Sequence, residues 1–248
     1  MAGMKIIITR PSPDAETFAA EVRRFGADPV LSPVTAIRHR PVDIDLDGIV
    51  ALAFTSANGV RAFAANSPRR DIAVYAVGAA TADAARAEGF DRLRSAGGDV
   101  ESLAELISLS KPAGIVLHLA GSERAGDLIA TLARKAVAAR RAVIYDAVAT
   151  DDLSAEAKAA LAANGANSAV VFFSPRSARL FLAQAAAAGL SACLAEAAAL
   201  CLSAEVGAAA GAGRWAAIDI AATRDADGVL ALVAARSGGR KSRKDAGR

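Results

Sequence analysis

Short apolar runs alternate with amphipathic stretches along almost the whole chain. Residues 5–9 read as a buried strand. Residues 14–25 read as a helix with Phe18, Val22 and Phe25 on one face and Gly26 as its stop. Residues 29–37 are extended, broken by Pro33, and run into the basic stretch Arg38-His39-Arg40-Pro41. Strands at 49–54, 73–77, 92–95 and 115–119 then alternate with helices at 57–65, 79–88, 100–109 and 123–135. A further apolar strand, 142–148, precedes a second series: helix 155–164, strand 169–173, helix 177–187, strand 197–202, helix 204–210, strand 217–221 and helix 227–235. Such alternation predicts parallel sheets covered by helices on both faces.

The middle block alone has enough strands for a complete sheet. The first strand and helix therefore belong with the C-terminal block. This predicts a discontinuous domain of residues 1–34 and 150–236 and an inserted domain of residues 38–141. The chain crosses between them twice, at 35–37 and 142–149, where paired extended strands would act as a hinge.

An internal echo supports two similar domains. Phe54-Thr55-Ser56-Ala57-Asn58-Gly59-Val60-Arg61-Ala62-Phe63 matches Phe172-Phe173-Ser174-Pro175-Arg176-Ser177-Ala178-Arg179-Leu180-Phe181 in its two Phe, its Ser and its Arg. Each cassette carries a strand into the first turn of a helix. Unpaired N–H groups and the positive end of the helix dipole suit that turn to an anion, and two such edges suggest a ligand held between two domains. A weaker echo pairs Gly78-Ala79-Ala80-Thr81 with Ser203-Ala204-Glu205-Val206; Gly78 allows close approach of a ligand, and Thr81 either caps or lines the helix start. Asp99 and Asp225, each ahead of an amphipathic stretch, read as helix caps.

Charge changes the picture little. The whole chain carries +3, whereas residues 237–248 carry +4, so the rest stands at −1. That Gly/Ser/Lys/Arg terminus reads as a disordered, solubilising tail in preference to a nucleic-acid arm. No apolar run reaches the ~18 residues of a membrane span, and the first strand is too short for a signal-peptide core, so a cytoplasmic protein is expected. Cys193 and Cys201 form no CxxC, and His39 and His118 are the two histidines, so buried unreactive thiols, no disulfide and no metal are expected.

The chain has no GxGxxG after a strand, no GxxxxGK[ST] and no GxSxG. Chemistry here would rest on positioning and backbone dipoles. Arg10, at the end of the first strand, suits a polyanion because open α/β sheets bind ligands at that edge. Tyr145, in the second crossing strand, is either a donor to a leaving oxygen, since its unperturbed pKa of ~10 keeps it protonated, or an amphipathic anchor. Tyr75 reads as structural, His118 as a satisfied core or strand-end histidine, and Arg61 and Arg179 as surface ion-pairing residues.

In order and spacing, several segments together resemble the uroporphyrinogen-III synthase family: Ile8-Thr9-Arg10-Pro11, Phe54-Thr55-Ser56-Ala57-Asn58-Gly59-Val60, Ala76-Val77-Gly78-Ala79-Ala80-Thr81-Ala82, Gly97-Gly98-Asp99-Val100-Glu101-Ser102-Leu103, the Tyr145 strand and Phe172-Phe173-Ser174-Pro175-Arg176-Ser177. The resemblance implies two flavodoxin-like α/β domains, parallel sheets with helices on both faces, joined by a two-stranded antiparallel linker. It implies a cyclising lyase that needs no cofactor. Its substrate is hydroxymethylbilane, a linear tetrapyrrole with many carboxylates. The hydroxyl leaves ring A, ring D attacks through its substituted α-carbon to form a spiro intermediate, and fragmentation and reclosure invert ring D.

Carried over by motif, Arg10, Thr55, Ser56, Asn58, Gly78, Thr81, Ser174 and Ser177 bind substrate and Tyr145 assists hydroxyl departure. Ser203-Ala204-Glu205-Val206 departs from the family's Gly-x-x-Thr, and Arg224 stands where relatives carry Pro. The same reading expects a monomer with transient contact to hydroxymethylbilane synthase and no membrane or nucleic-acid partner. Its rivals are a non-catalytic hinged module for an anionic ligand and a regulatory module whose basic tail meets nucleic acid.

Overall fold

The computed structural model describes residues 3–123 and 126–238; most of the expected basic tail lies outside the described residues. Two compact units divide the chain, residues 1–36 with 148–248 and residues 37–147.

The first unit opens with β1 (Lys5–Ile8), α1 (Asp14–Arg24) and β2 (Asp28–Leu31). It resumes with α6 (Ala155–Asn164), β9 (Ser168–Phe172), α7 (Pro175–Ala187), β10 (Ala198–Cys201), α8 (Ala204–Ala210), β11 (Ala217–Ile220) and α9 (Ala226–Arg236). The strands lie in the order β11-β10-β9-β1-β2, all parallel. Numbered within the unit, this is the 2-1-3-4-5 order of flavodoxin-like folds.

Strand alternation divides its core. Ile6, Ile8, Ala169, Val171 and Leu200 meet α1 and α9 on one face, while Ile7, Val170, Phe172, Ala199 and Cys201 meet α6, α7 and α8 on the other. In α1 the buried residues Ala15, Phe18, Ala19 and Val22 form one stripe, acids occupy the first turn and Arg23 and Arg24 the last, and Gly26 at φ +76° follows.

The second unit contains β3 (Thr35–His39), β4 (Ile49–Phe54), α2 (Ala57–Asn66), β5 (Ala73–Ala76), α3 (Ala79–Ala87), β6 (Leu93–Ser95), α4 (Val100–Leu109), β7 (Ile115–Gly121), α5 (Leu128–Arg134) and β8 (Ala139–Ala149). Its sheet runs β3-β8-β7-β4-β5-β6. Its parallel portion runs β6-β5-β4-β7-β8, the same arrangement as β11-β10-β9-β1-β2 when the cassette strands β4 and β9 are matched, so both units are the expected parallel sheets covered on both faces. Apolar alternation does not encode which side of β4 receives β7, so the strand order was invisible in the pattern. Leu52, Phe54, Val74, Leu117 and Leu119 pack under α2 and α3; Ala51, Ala53, Tyr75 and Val116 pack under α4 and α5.

β8 is longer than its apolar stretch predicts. Its first half pairs parallel with β7, and β3 lies on its other side. Hydrogen bonds from Arg40 N–H to Ile144 C=O and from Thr150 N–H to Val34 C=O run in opposing order, so β3 and β8 are antiparallel. The chain passes from one unit to the other within these two strands.

Helix α5 starts later than the predicted residue 123. Asp127 caps it through Ala130 N–H at 3.0 Å, and Gly126 turns at φ +77° ahead of it, so the helix cannot begin earlier. Cys201 is buried, and its thiol pKa is raised to about 11 by burial and Asp219; Cys193 is half-buried, contrary to expectation, on the rim of the α7 core.

Candidate active site

The repeated cassettes are a structural repeat. In the second unit Phe54 ends β4 and meets Phe63 of α2 edge-on at 6.2 Å; in the first unit Phe172 ends β9 and meets Phe181 of α7 edge-on at 5.4 Å. Each pair locks a strand end to the next helix. The serine between them is then the helix cap: Ser56 Oγ accepts from Asn58 N–H, and Ser174 Oγ accepts from Ser177 N–H.

In open α/β sheets, ligands sit beyond the carboxyl ends of the strands where the order reverses. In the second unit that point lies between β4 and β7, which are adjacent with Ala53 beside His118 and Phe54 beside Leu119. Three features shape it. Gly59, in the first turn of α2, lies so close to β7 that an added Cβ would stand 2.8 Å from the Leu119 carbonyl oxygen. The glycine thus lets the helix start descend onto the switch point. A bulge next places Ala120 opposite Val143 but Gly121 opposite Tyr145, leaving Ile144 as the extra residue on β8. Ile144 is buried, and the bulge turns the half-buried Tyr145 towards Gly121, where an added Cβ would lie 2.8 Å from the ring and 3.2 Å from the phenol oxygen. Gly121 is therefore the floor on which the tyrosine ring rests.

The phenol has Ser56, the Gly121 backbone and Arg141 as polar neighbours, and burial raises its pKa despite them. It stays a neutral O–H donor around neutrality. Arg141 also donates to the Gly121 carbonyl. Ser122 N–H donates to the Tyr145 carbonyl at 3.0 Å, closing the bulge. Next along β8, Asp146 is held by both arms of Arg40, each 2.7 Å long, and its carboxyl pKa falls to about 2 through Arg40 first and Ser122 second.

Thr55 lies between Phe54 and the capping Ser56, half-buried, with Oγ1 3.1 Å from His118 Nε2. His118 is not the satisfied histidine the sequence suggests. It is buried, and its Nδ1 has no hydrogen-bond partner among the described residues. Burial, and after it Arg141, lowers its pKa to about 4 in spite of Asp127.

Further along the same edge, Gly78 caps α3 in extended conformation without a side-chain bond, and its Cβ position lies in ordinary contact with Gly98, 3.4 Å away. Thr81 does not cap this helix: it sits in the first turn, buried. Asn58 accepts from Arg61 at 3.0 Å within α2. Asp99 caps α4 in a reciprocal box with Ser102.

The first unit carries its own edge. Arg10 follows β1, with its guanidinium 4.3 Å from the Phe173 ring centre and 3.3 Å from Asp14. Ser174 and Ser177 cap α7 reciprocally, leaving Ser177 buried. Ser203 caps α8 through Val206 N–H, where its counterpart Gly78 leaves its helix without a side-chain cap; the departure from Gly-x-x-Thr thus replaces an open helix start with one satisfied internally. Asp225 caps α9. The second unit thus places Thr55, Ser56, Asn58 and Tyr145 along one sheet edge, with Gly78 and Thr81 at the start of α3 after the neighbouring strand β5; the first places Arg10, Ser174 and Ser177 along its own.

Sequence reasoning passed over Gly59, Gly121, Ser122 and Arg141 and set His118 aside. The legible signal was modest: a glycine followed by serine directly after an apolar strand, and a glycine in a helix's first turn. Among the described residues no cluster of three or more His, Cys, Asp or Glu could hold a metal ion, and no helix is long and apolar enough to cross a membrane.

The family model for uroporphyrinogen-III synthase HemD matches residues 16–231. A curated relative from Methanocaldococcus jannaschii, described as a putative uroporphyrinogen-III synthase, is 38% identical over 58 residues, which span 23% of this chain and 24% of that protein. Of solved structures, the uroporphyrinogen-III synthetase of Helicobacter pylori 26695 aligns at TM-score 0.63 and 19% identity, covering 95% of this chain and 99% of that one. A mutant uroporphyrinogen III synthase of the extremely thermophilic bacterium Thermus thermophilus aligns at 0.52 and 16%, covering 96% and 100%. At such identities these structures establish a common fold. Because the family model extends over most of the chain, including the serine turns, the Tyr145 strand and the C-terminal strands, the protein belongs to the uroporphyrinogen-III synthase family.

Proposed function

We propose that this chain cyclises hydroxymethylbilane to uroporphyrinogen III, with loss of water and inversion of ring D through a spiro intermediate. One observation carries the reading: the stretch matched by the family model contains a half-buried, protonated phenol at the strand-order reversal of the second unit, held on a glycine beside a helix start. Nothing in that arrangement demands redox or nucleophilic chemistry. It suits departure of a hydroxyl, in which the C–O bond at ring A breaks and the oxygen needs a proton.

Tyr145 donates its proton to the departing oxygen, and the pyrrole N–H proton of ring A passes through solvent back to the phenolate, so the products are water, a neutral azafulvene and the restored phenol. Ring D then attacks this electrophile through its substituted α-carbon. A hydrogen-bond donor in a desolvated site is worth most where charge develops, here on the leaving oxygen. The α2 helix start, Thr55, Ser56 and Asn58, with Gly78 and Thr81 beside them, takes substrate carboxylates on backbone N–H groups and hydroxyls. Arg10, Ser174 and Ser177 do the same in the first unit. This mode of binding needs no large positive charge, in keeping with a chain that is close to neutral without its last twelve residues.

The reading includes a monomer acting in the cytoplasm and receiving its substrate in transient contact with hydroxymethylbilane synthase; sedimentation of the two proteins, alone and mixed, tests both association statements. The activity is tested by generating hydroxymethylbilane in place and separating the oxidised porphyrin isomers. Isomer III should predominate. Isomer I alone, the product of unassisted closure, overturns the reading.

A further inference from the structure

We propose that His118 is a positioning residue for this site: its Nε2–H donates to Thr55 Oγ1, so that the threonine keeps its own proton to donate to a substrate carboxylate. The proposal rests on the reading just given. It begins from a pair 63 residues apart in sequence that the β4–β7 register brings to 3.1 Å. Thr55 stands directly before the capping Ser56, at the mouth of the switch point, and is half-buried, whereas the His118 ring behind it is 7% exposed.

Two tautomers of a neutral imidazole are compatible with the Thr55 contact. With hydrogen on Nδ1, Nε2 accepts the threonine proton. The ring's own N–H is then stranded, because Nδ1 has no hydrogen-bond partner among the described residues. A buried polar group left unpaired costs about 1–3 kcal/mol, and among backbone groups orphaned N–H donors are the rarer case, under-used acceptors the better tolerated one. With hydrogen on Nε2, the single N–H is spent on Thr55 and the atom left over is a bare lone pair. The second tautomer is the one this environment selects. Protonation of both nitrogens is resisted by burial and by Arg141, with Asp127 acting the other way, so the ring stays neutral at ordinary pH.

The consequence concerns the polarity of Thr55. An ionised carboxylate only accepts hydrogen bonds. A threonine that gave its proton to His118 would turn lone pairs towards a substrate carboxylate and repel it. A threonine that accepts from His118 has its hydroxyl proton free and oriented by the bond it receives. His118 thus makes Thr55 a dedicated donor without touching substrate.

The first test is the 15N spectrum of histidine-labelled protein carrying His39→Gln, which leaves His118 as the one ring observed. A protonated Nε2 with an unprotonated Nδ1 at pH 7 is expected; the reverse tautomer overturns the proposal, whatever the activity. The second test is kinetic. His118→Leu and Thr55→Val should each raise KM about 5- to 20-fold with kcat within about 2-fold, and the double variant should be no worse than either alone. His118→Gln, whose amide N–H can replace the imidazole donor, should stay within about 3-fold of the wild-type KM. Losses shared by kcat and KM that add in the double variant, with no recovery in His118→Gln, mean a structural role only and overturn it. Isomer I alone from the wild-type chain removes the activity reading and the carboxylate with it, while the tautomer still reports the polarity of the pair.

Discussion

Gly121 and Tyr145 face one another across a β-bulge at a separation that admits no side chain on residue 121: a Cβ there would stand 2.8 Å from two ring carbons of the tyrosine. The phenol's position is therefore set by an absence of atoms on the neighbouring strand. This explains why a glycine ends β7 directly after the buried apolar pair Leu119 and Ala120.

Gly121→Ala should push the ring off its seat. We predict a loss of turnover of about 10-fold or more, from displacement of an aligned group, with a stability cost of about 1–3 kcal/mol from overpacking. Isomer III formation and urea denaturation of the same sample separate the two effects. Wild-type turnover in this variant would show that ring placement is immaterial.

Tyr145→Phe keeps the ring and removes the donor. Turnover should fall about 10- to 100-fold, at the lower end of general-acid contributions, while the unfolding midpoint stays within a few degrees. Unchanged kinetics would make the phenol a packing anchor and return the proton to solvent.

Gly59→Ala probes the helix start. The atom in its way is the Leu119 backbone oxygen, which cannot rotate aside. A destabilisation of about 1–3 kcal/mol is expected, because α2 must lift from β7. Its Thr55–Tyr145 edge should widen at the same time, so KM should rise. A variant as stable as wild type would mean the helix shifts at no cost.

His118 gives the fold a pH dependence of known sign. Its folded pKa of about 4 lies below the unfolded value of 6.5, so the unfolded chain takes up a proton first as pH falls. The stability it contributes is complete above pH 6.5 and is lost progressively towards pH 4, at most about 3 kcal/mol for such a shift. His118→Gln should flatten the stability curve in that window and leave it unchanged above it. Denaturation midpoints at pH 7.5, 6, 5 and 4 provide the check; parallel curves for the two proteins would contradict it.

Much of this arrangement can be read from local chemistry. Ser56, Ser174, Asp99 and Asp225 each accept from a backbone N–H at a helix start. Capping depends on residues within one turn, so the pattern alone locates them. The recurring Phe, Ser and Arg anticipated two strand-to-helix turns built alike, and the Phe54–Phe63 and Phe172–Phe181 contacts show what the recurrence preserves. Thr81 reads differently once folded: placed in the first turn of α3 and buried, it leaves the cap to Gly78.

What local chemistry could not supply is long-range. No spacing rule joins Thr55 to His118, or Gly121 to Tyr145, because those meetings depend on which strand enters the sheet beside which. In both units the cassette strand has the same surroundings, β4 between β5 and β7 and β9 between β10 and β1. The residues carried by those neighbours differ: Thr55 lies against a histidine from β7, and its counterpart Phe173 lies beneath Arg10 from the end of β1.

The amino-acid sequence by itself determined the succession of strands and helices, the caps Asp99 and Asp225, the α/β class and the doubled serine turn, since each follows from side-chain periodicity or hydrogen bonding within a few residues. Only the tertiary structure decided strand order, the bulge at Ile144 and the buried partner of Thr55. Those depend on non-local packing, where the choice between alternative neighbours is made by the whole sheet and its covering helices.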